Sequence, residues 1–301
     1  MPLQPSCLGI RKDIVKPFTP HTDQFEFEIM NIIERNIFRL LRTGAFNVKE
    51  DIEPMSAFKW RRLYQMIVAQ NLTPVFAQGV DIYKDDERLN LPADLLEEVA
   101  NSRNDDLQNR KTFGDEDIRL SSRLLNHRLK RLIKREMLSE ETSMETVDLL
   151  EIIIFNVNQI LNYGLSLDGI IRLGQYLRRR GDKVDFVKLD EWLKRLHLSR
   201  MAQLQGSILI TVFGFEKDEL PFVQQEEKNA MPLALRAVSN LAKDTAEEWY
   251  FRQTRSGFVQ NNSKKLRRNI RRSMRYYNYA PMETTSSFFT NLVRSLSEIE
   301  E

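Results

Sequence analysis

Apolar residues recur three and four positions apart along most of this chain, the period of a helix with one buried face. Residues 1–22 are the exception. Pro2, Pro5, Pro17 and Pro20 interrupt any period there and predict an irregular arm. From Asp23 the helical period sets in with Phe27, Met30, Ile33, Ile37, Leu40 and Leu41, and Gly44 is the predicted stop. A second helix is expected from a Ser56 cap, with Trp60, Leu63, Tyr64, Ile67 and Val68 on its buried side. Pro74 then allows a short turn through Val75 and Phe76 that Gly79 closes, and Asp81 to Asn90 reads as a polar loop. Pro92 suits the first position of a helix carrying Leu95, Leu96 and Val99.

Apolar residues thin out from Ser102 to Arg119, the best candidate boundary. Leu120 to Met137 follows as a basic amphipathic helix, with Leu124, Leu125, Leu129, Leu132 and Ile133 between many Arg and Lys. Thr142 and Glu145 have the spacing of a capping box ahead of Val147, Leu150, Ile154, Val157 and Leu161. Gly164 suits the left-handed position past that helix. Asp185 is the predicted cap for a helix with Leu189, Trp192, Leu193 and Leu196, and Ser199 for one with Leu204, Ile208 and Val212. Ile208 to Phe213 has the composition of a strand but lies within a helical period, so it is read as helix. A further helix is expected over roughly Glu226 to Tyr250, before basic and terminal helices. The fold class is therefore all-α, a multi-helix bundle of about ten to twelve helices with little or no sheet. The organisation expected is an arm at 1–22, an N-terminal helical subdomain at 23–111 and a C-terminal one at 112–301, or one continuous domain.

Composition narrows the setting. Hydrophobic residues at 42% and charged residues at 29% are those of a soluble globular protein. The most apolar window, LLEIIIFNV, is too short to span a bilayer. Cys7 is the one cysteine, which excludes an intramolecular disulfide and fits a reducing compartment. No basic start followed by a long apolar core marks a secretory signal, so a cytoplasmic location is expected.

Net charge is only +2, but it is unevenly placed. Arg252 to Met282 contains no acid. Lys264, Lys265, Arg267, Arg268, Arg271, Arg272 and Arg275 surround Leu266, Ile270 and Met274, and Tyr276, Tyr277 and Tyr279 follow. Those seven cations are the candidate anion-binding residues, for nucleic acid, an acidic protein or lipid headgroups. The competing reading is a surface helix docked by its apolar stripe with its charges solvated. Arg178, Arg179 and Arg180 end a helix, where cations suit the dipole.

Two places mimic a nucleotidyltransferase signature, in which a Gly-Ser turn holds triphosphate and paired carboxylates bind metal. Gly206-Ser207 precedes Glu216 and Asp218, but Ser207 falls inside a predicted helix. Gly114-Asp115-Glu116-Asp117 offers paired acids, which a helix start also favours. No residue is assigned a catalytic role; Asp115 and Asp117 are kept as candidates, and Mg²⁺ is implied only if they act. His21, His127 and His197 are far apart, the last two on amphipathic helices, and form no ligand set, so no metal site is expected. No glycine-rich phosphate loop occurs and no cofactor is expected.

Three blocks resemble the uncharacterised nucleotidyltransferase-like proteins of Bacteroidetes and other bacteria. The first is WRRLYQMIVAQNLTPVFAQGV followed by LNLPADLLEEV, with Trp60, Pro74, Leu91 and Pro92 in the family's places. The second runs from Leu165 to Phe222 and ends in Glu219-Leu220-Pro221-Phe222. The third is SMRYYNYAPMET leading into RSLSEIEE. Together they cover about half the chain. The resemblance implies an α/β catalytic insert with a Lys-Gly element and a Gly-Asp-x-Asp pair. The matching interval here, Arg103 to Ser139, is too short for it and reads as helical, so no catalytic residue is carried over. The resemblance implies the helical scaffold alone. The leading expectation is a non-catalytic helical binding or regulatory protein with a protein partner. The alternatives are a divergent Mg²⁺-dependent nucleotidyltransferase, or a binder of nucleic acid or anionic surfaces through the basic C-terminal helix.

Overall fold

A computed structural model of the protein describes residues 30–109, 118–139, 143–239 and 270–297. Among them are twelve α-helices, with 74% of residues helical and none in a strand. The helices are α1 (Ile32–Phe46), α2 (Ala57–Ala69), α3 (Thr73–Asp81), α4 (Ala93–Asn109), α5 (Arg123–Met137) and α6 (Met144–Asn162). They continue with α7 (Leu167–Arg180), α8 (Phe186–Arg195), α9 (Ser199–Phe213), α10 (230–239), α11 (270–276) and α12 (Pro281–Ser297). The all-α bundle expected from the periodicity is the fold.

Local chemistry explains the boundaries. Asn31 accepts from the Ile33 and Glu34 amides while Glu34 accepts from the Asn31 amide, a capping box that starts α1 at Ile32. The predicted start at Asp23 lies outside the described residues. Gly44 does not stop α1, and Gly79 does not close a short turn. Both sit inside helices where α1 crosses α3. A Cβ on Gly44 would lie 1.9 Å from the Val75 carbonyl oxygen, and one on Gly79 2.3 Å from that of Leu40. The glycines let two helix backbones touch. The true stop of α1 is Asn47, in the left-handed conformation at φ 57°.

Other caps divide. Asp185 accepts from the Lys188 amide at 2.9 Å, as expected. Ser56 occupies its predicted position without a side-chain bond. Ser199 is the first residue of α9 rather than its cap. Thr142 lies outside the described residues, and Ser143 holds the position before α6 without a side-chain bond to its amides. Gly164 has the predicted positive φ, at 105°. Val68 and Leu124, expected on buried faces, are exposed.

One apolar core cluster runs from Met30 to Ala280 and contains α6, α7 and α9 at its most buried part. Several of its buried polar groups tie helices together. Asn156 on α6 donates to the Gly169 carbonyl on α7 and to Gln205 Oε1 on α9, both at 3.0 Å. Gln70 donates to the Ala237 carbonyl at 2.8 Å, tying α10 to the end of α2. Among the described residues no helix is long and apolar enough to cross a membrane.

Candidate anion-binding groove

Helix α5 is two-thirds Leu, Arg and Lys, all good helix formers. Ser122 caps its start, and Glu283 of α12 accepts from the Ser121 amide and, at 3.1 Å, from the Ser122 amide. Burial raises the Glu283 carboxyl above its ordinary range, opposed by those two amides. Leu125 and Leu129 enter the core. Arg128, Arg131 and Arg135, at i, i+3 and i+7, share one other face.

Helix α8 repeats that spacing with Lys188, Glu191 and Arg195, and it lies antiparallel to α5. Near one end, Arg128 donates to the Arg195 carbonyl at 3.3 Å and lies 3.5 Å from His197 Nε2. At the other end, Glu136 accepts from Lys188 Nζ at 2.7 Å and from the Ser143 amide at 3.0 Å. Burial pushes the Glu136 carboxyl up, but the Lys188 bond, the Ser143 amide and the Lys188 charge outweigh it and hold the group below its usual range. Between the two helices runs a groove of about 550 Å³ floored by Leu132, Trp192 and Leu196.

Six cationic side chains line this groove against two carboxylates, Glu136 and Glu191, so its field is positive. Lys194 and Arg195 pair with Asp190 and Glu191 on their own helix. Such exposed i,i+4 pairs contribute only about 0.3–0.5 kcal/mol, too little to compete with a multivalent anion. No carboxylate among the described residues pairs with Arg131 or Arg135. His197 does not sit on a helix as expected. It follows α8 in the left-handed conformation at φ 55°, where its amide bonds the Lys194 carbonyl and that of Leu198 the Leu193 carbonyl.

The predicted anion site fares differently. Lys264, Lys265, Arg267 and Arg268 lie outside the described residues, as do Asp115 and Asp117. Arg272 donates to the Asn162 carbonyl at the end of α6. Burial raises the Tyr276 hydroxyl's pKa, opposed by the nearby Arg275 charge. Arg271 is exposed. The apolar stripe expected to dock this helix does not do so at its described positions: Ile270 and Met274 face outward while Tyr276 and Tyr279 are buried. Arg178 stacks on Phe215 and Phe46, at 4.1 and 4.8 Å from the ring centroids, and Arg180 pairs with Glu145 at 3.5 Å.

The Gly206-Ser207 pair is structural. It lies within α9, where Gly206 leaves room for Val223 and the Ser207 hydroxyl donates to the Gln203 carbonyl and accepts from the Glu227 amide. Glu216 caps a 3₁₀ turn at Lys217–Glu219. A second charged cluster, Arg42 with Glu50 at 2.6 Å, is enclosed by α1 and the loop after it. Burial draws the Arg42 guanidinium down to about 10 despite Glu50 and pushes Glu50 up. Among the described residues no group of three His, Cys, Asp or Glu is placed to hold a metal ion.

No protein-family model, curated protein or solved structure matches this chain. The groove went unread in the sequence. Its signal is the absence of any acid from Leu120 to Arg135 beside the seven-residue spacing of Lys188 and Arg195, two turns of one helix face. The pairing of those two helices is not a local property.

Proposed function

We propose that this protein is a helical binding module that holds an anionic partner in the groove between α5 and α8. The observation that carries the reading is the row of Arg128, Arg131 and Arg135, which faces an open groove and has no carboxylate partner among the described residues. The three cations are exposed and are not needed to close the core. Set beside the nucleotidyltransferase-like resemblance, the reading is of a helical scaffold used for recognition.

The test is the salt dependence of binding of the full chain to fluorescein-labelled poly-glutamate. Affinity should fall steeply with ionic strength, as it does wherever several charges are neutralised together. R128Q/R131Q/R135Q should weaken binding at least tenfold with an unchanged circular dichroism spectrum. No binding by the natural chain, or equal binding by the triple variant, would overturn the groove. Loss of binding on changing Lys264, Lys265, Arg267 and Arg268 to Gln instead would move the site to the C-terminal run.

A further inference from the structure

We infer that the occupant of this groove is an acidic amphipathic segment of a partner protein, with its apolar residues at one end. The inference rests on the groove reading above and adds a second feature. The Glu136 carboxylate draws three elements together, because it accepts from Lys188 of α8 and from the Ser143 amide at the start of α6. Around that meeting point four large apolar residues are exposed. Met137 and Leu138 follow Glu136, Met144 follows Ser143, and Val187 precedes Lys188. Leu138 and Val187 are 77% and 84% exposed, so neither contributes to the core. The opposite end, at Arg128, Lys194, Arg195 and His197, has one such residue nearby, Leu124, a helical turn before Arg128.

The groove is thus cationic along its length, and four of the five exposed apolar residues that flank it in sequence lie beside one mouth. Each class of polyanion uses that surface differently. A nucleic-acid strand presents like phosphates throughout and leaves the apolar mouth idle. It also gains from exposed rings on which bases stack; of the two rings lining the groove, Trp192 is 5% exposed and only His197, at the end away from the apolar mouth, is open. A bilayer is flat and meets a concave row of cations poorly. A peptide with carboxylates followed by Leu or Ile matches both parts, the arrangement of an amphipathic helix laid in a groove. From Arg128 to Leu138 the helix rises about 15 Å, enough for roughly ten residues of helical ligand.

Two labelled synthetic peptides of equal charge separate the parts: four Glu followed by two Leu, and the same peptide with both Leu replaced by Ser. The full-length protein should bind the Leu peptide at least tenfold more tightly by fluorescence anisotropy. L138S/V187S should remove that difference while leaving poly-glutamate binding unchanged; both positions are exposed, so the variant should fold. Equal affinity for the two peptides, or a preference that survives L138S/V187S, would sink the inference while the poly-glutamate result still stood. Tighter binding of a labelled oligouridylate than of the Leu peptide at the same salt would overturn it in favour of nucleic acid. Failure of poly-glutamate binding would remove both readings together.

Discussion

Helices α5 and α11 are both basic, and they use their arginines in opposite ways. In α11, Arg272 is bonded to the last carbonyl of α6, and Arg275 lies beside the buried Tyr276 hydroxyl, whose pKa its charge lowers against burial. In α5, Arg131 and Arg135 face a groove and meet no carboxylate among the described residues, while Arg128 meets only a backbone carbonyl and a histidine. The denser cationic run is the one whose described part is built into the fold. Charge density along a sequence therefore does not identify a binding surface; what decides is whether the fold already supplies each cation with an acceptor.

The comparison predicts that substitutions in α11 cost stability and those in α5 cost binding. The largest effect should come from Y276A, which empties a site 2% exposed. A loss of about 3–5 kcal/mol in urea unfolding is expected for a buried ring of this size. Next is Glu283, the residue that joins the C-terminal helices to α5. E283A strands the Ser121 and Ser122 amides and should cost about 1–3 kcal/mol. Because burial raises the folded pKa of Glu283, its contribution is fully present below the ordinary glutamate range and is lost as pH rises through the folded value. E283Q should abolish that slope in stability measured against pH. R272Q should cost about 1 kcal/mol, the worth of its bond to the Asn162 carbonyl. The smallest stability change should be that of R131Q, within about 0.5 kcal/mol of the natural chain, while its poly-glutamate affinity drops severalfold. A destabilised R131Q beside a stable R272Q would reverse the comparison.

Local signals were read well where one residue acts on its own backbone. Asp185 caps α8 through its own side chain, Gly164 takes the positive φ its position requires, and the 3-and-4 periods of α6 and α9 become core. The same reasoning failed at Gly44 and Gly79. A glycine that ends a helix and one that lets two helices touch look alike in sequence, and only the partner backbone 1.9 Å from a would-be Cβ tells them apart. It failed likewise for Ile270 and Met274, whose spacing is helical but whose face is turned outward by Tyr276 and Tyr279.

By itself, then, the sequence determined the all-α class and the buried faces of most helices, because these depend on spacing and on groups within a turn of one another. It also placed positive charge on α5 and near α11. Which arginines stay available, which glycines mark a crossing and where a groove opens were decided by the tertiary structure alone. Each of those depends on what a neighbouring helix brings within hydrogen-bond or van der Waals reach, and that neighbour is tens of residues away in the chain.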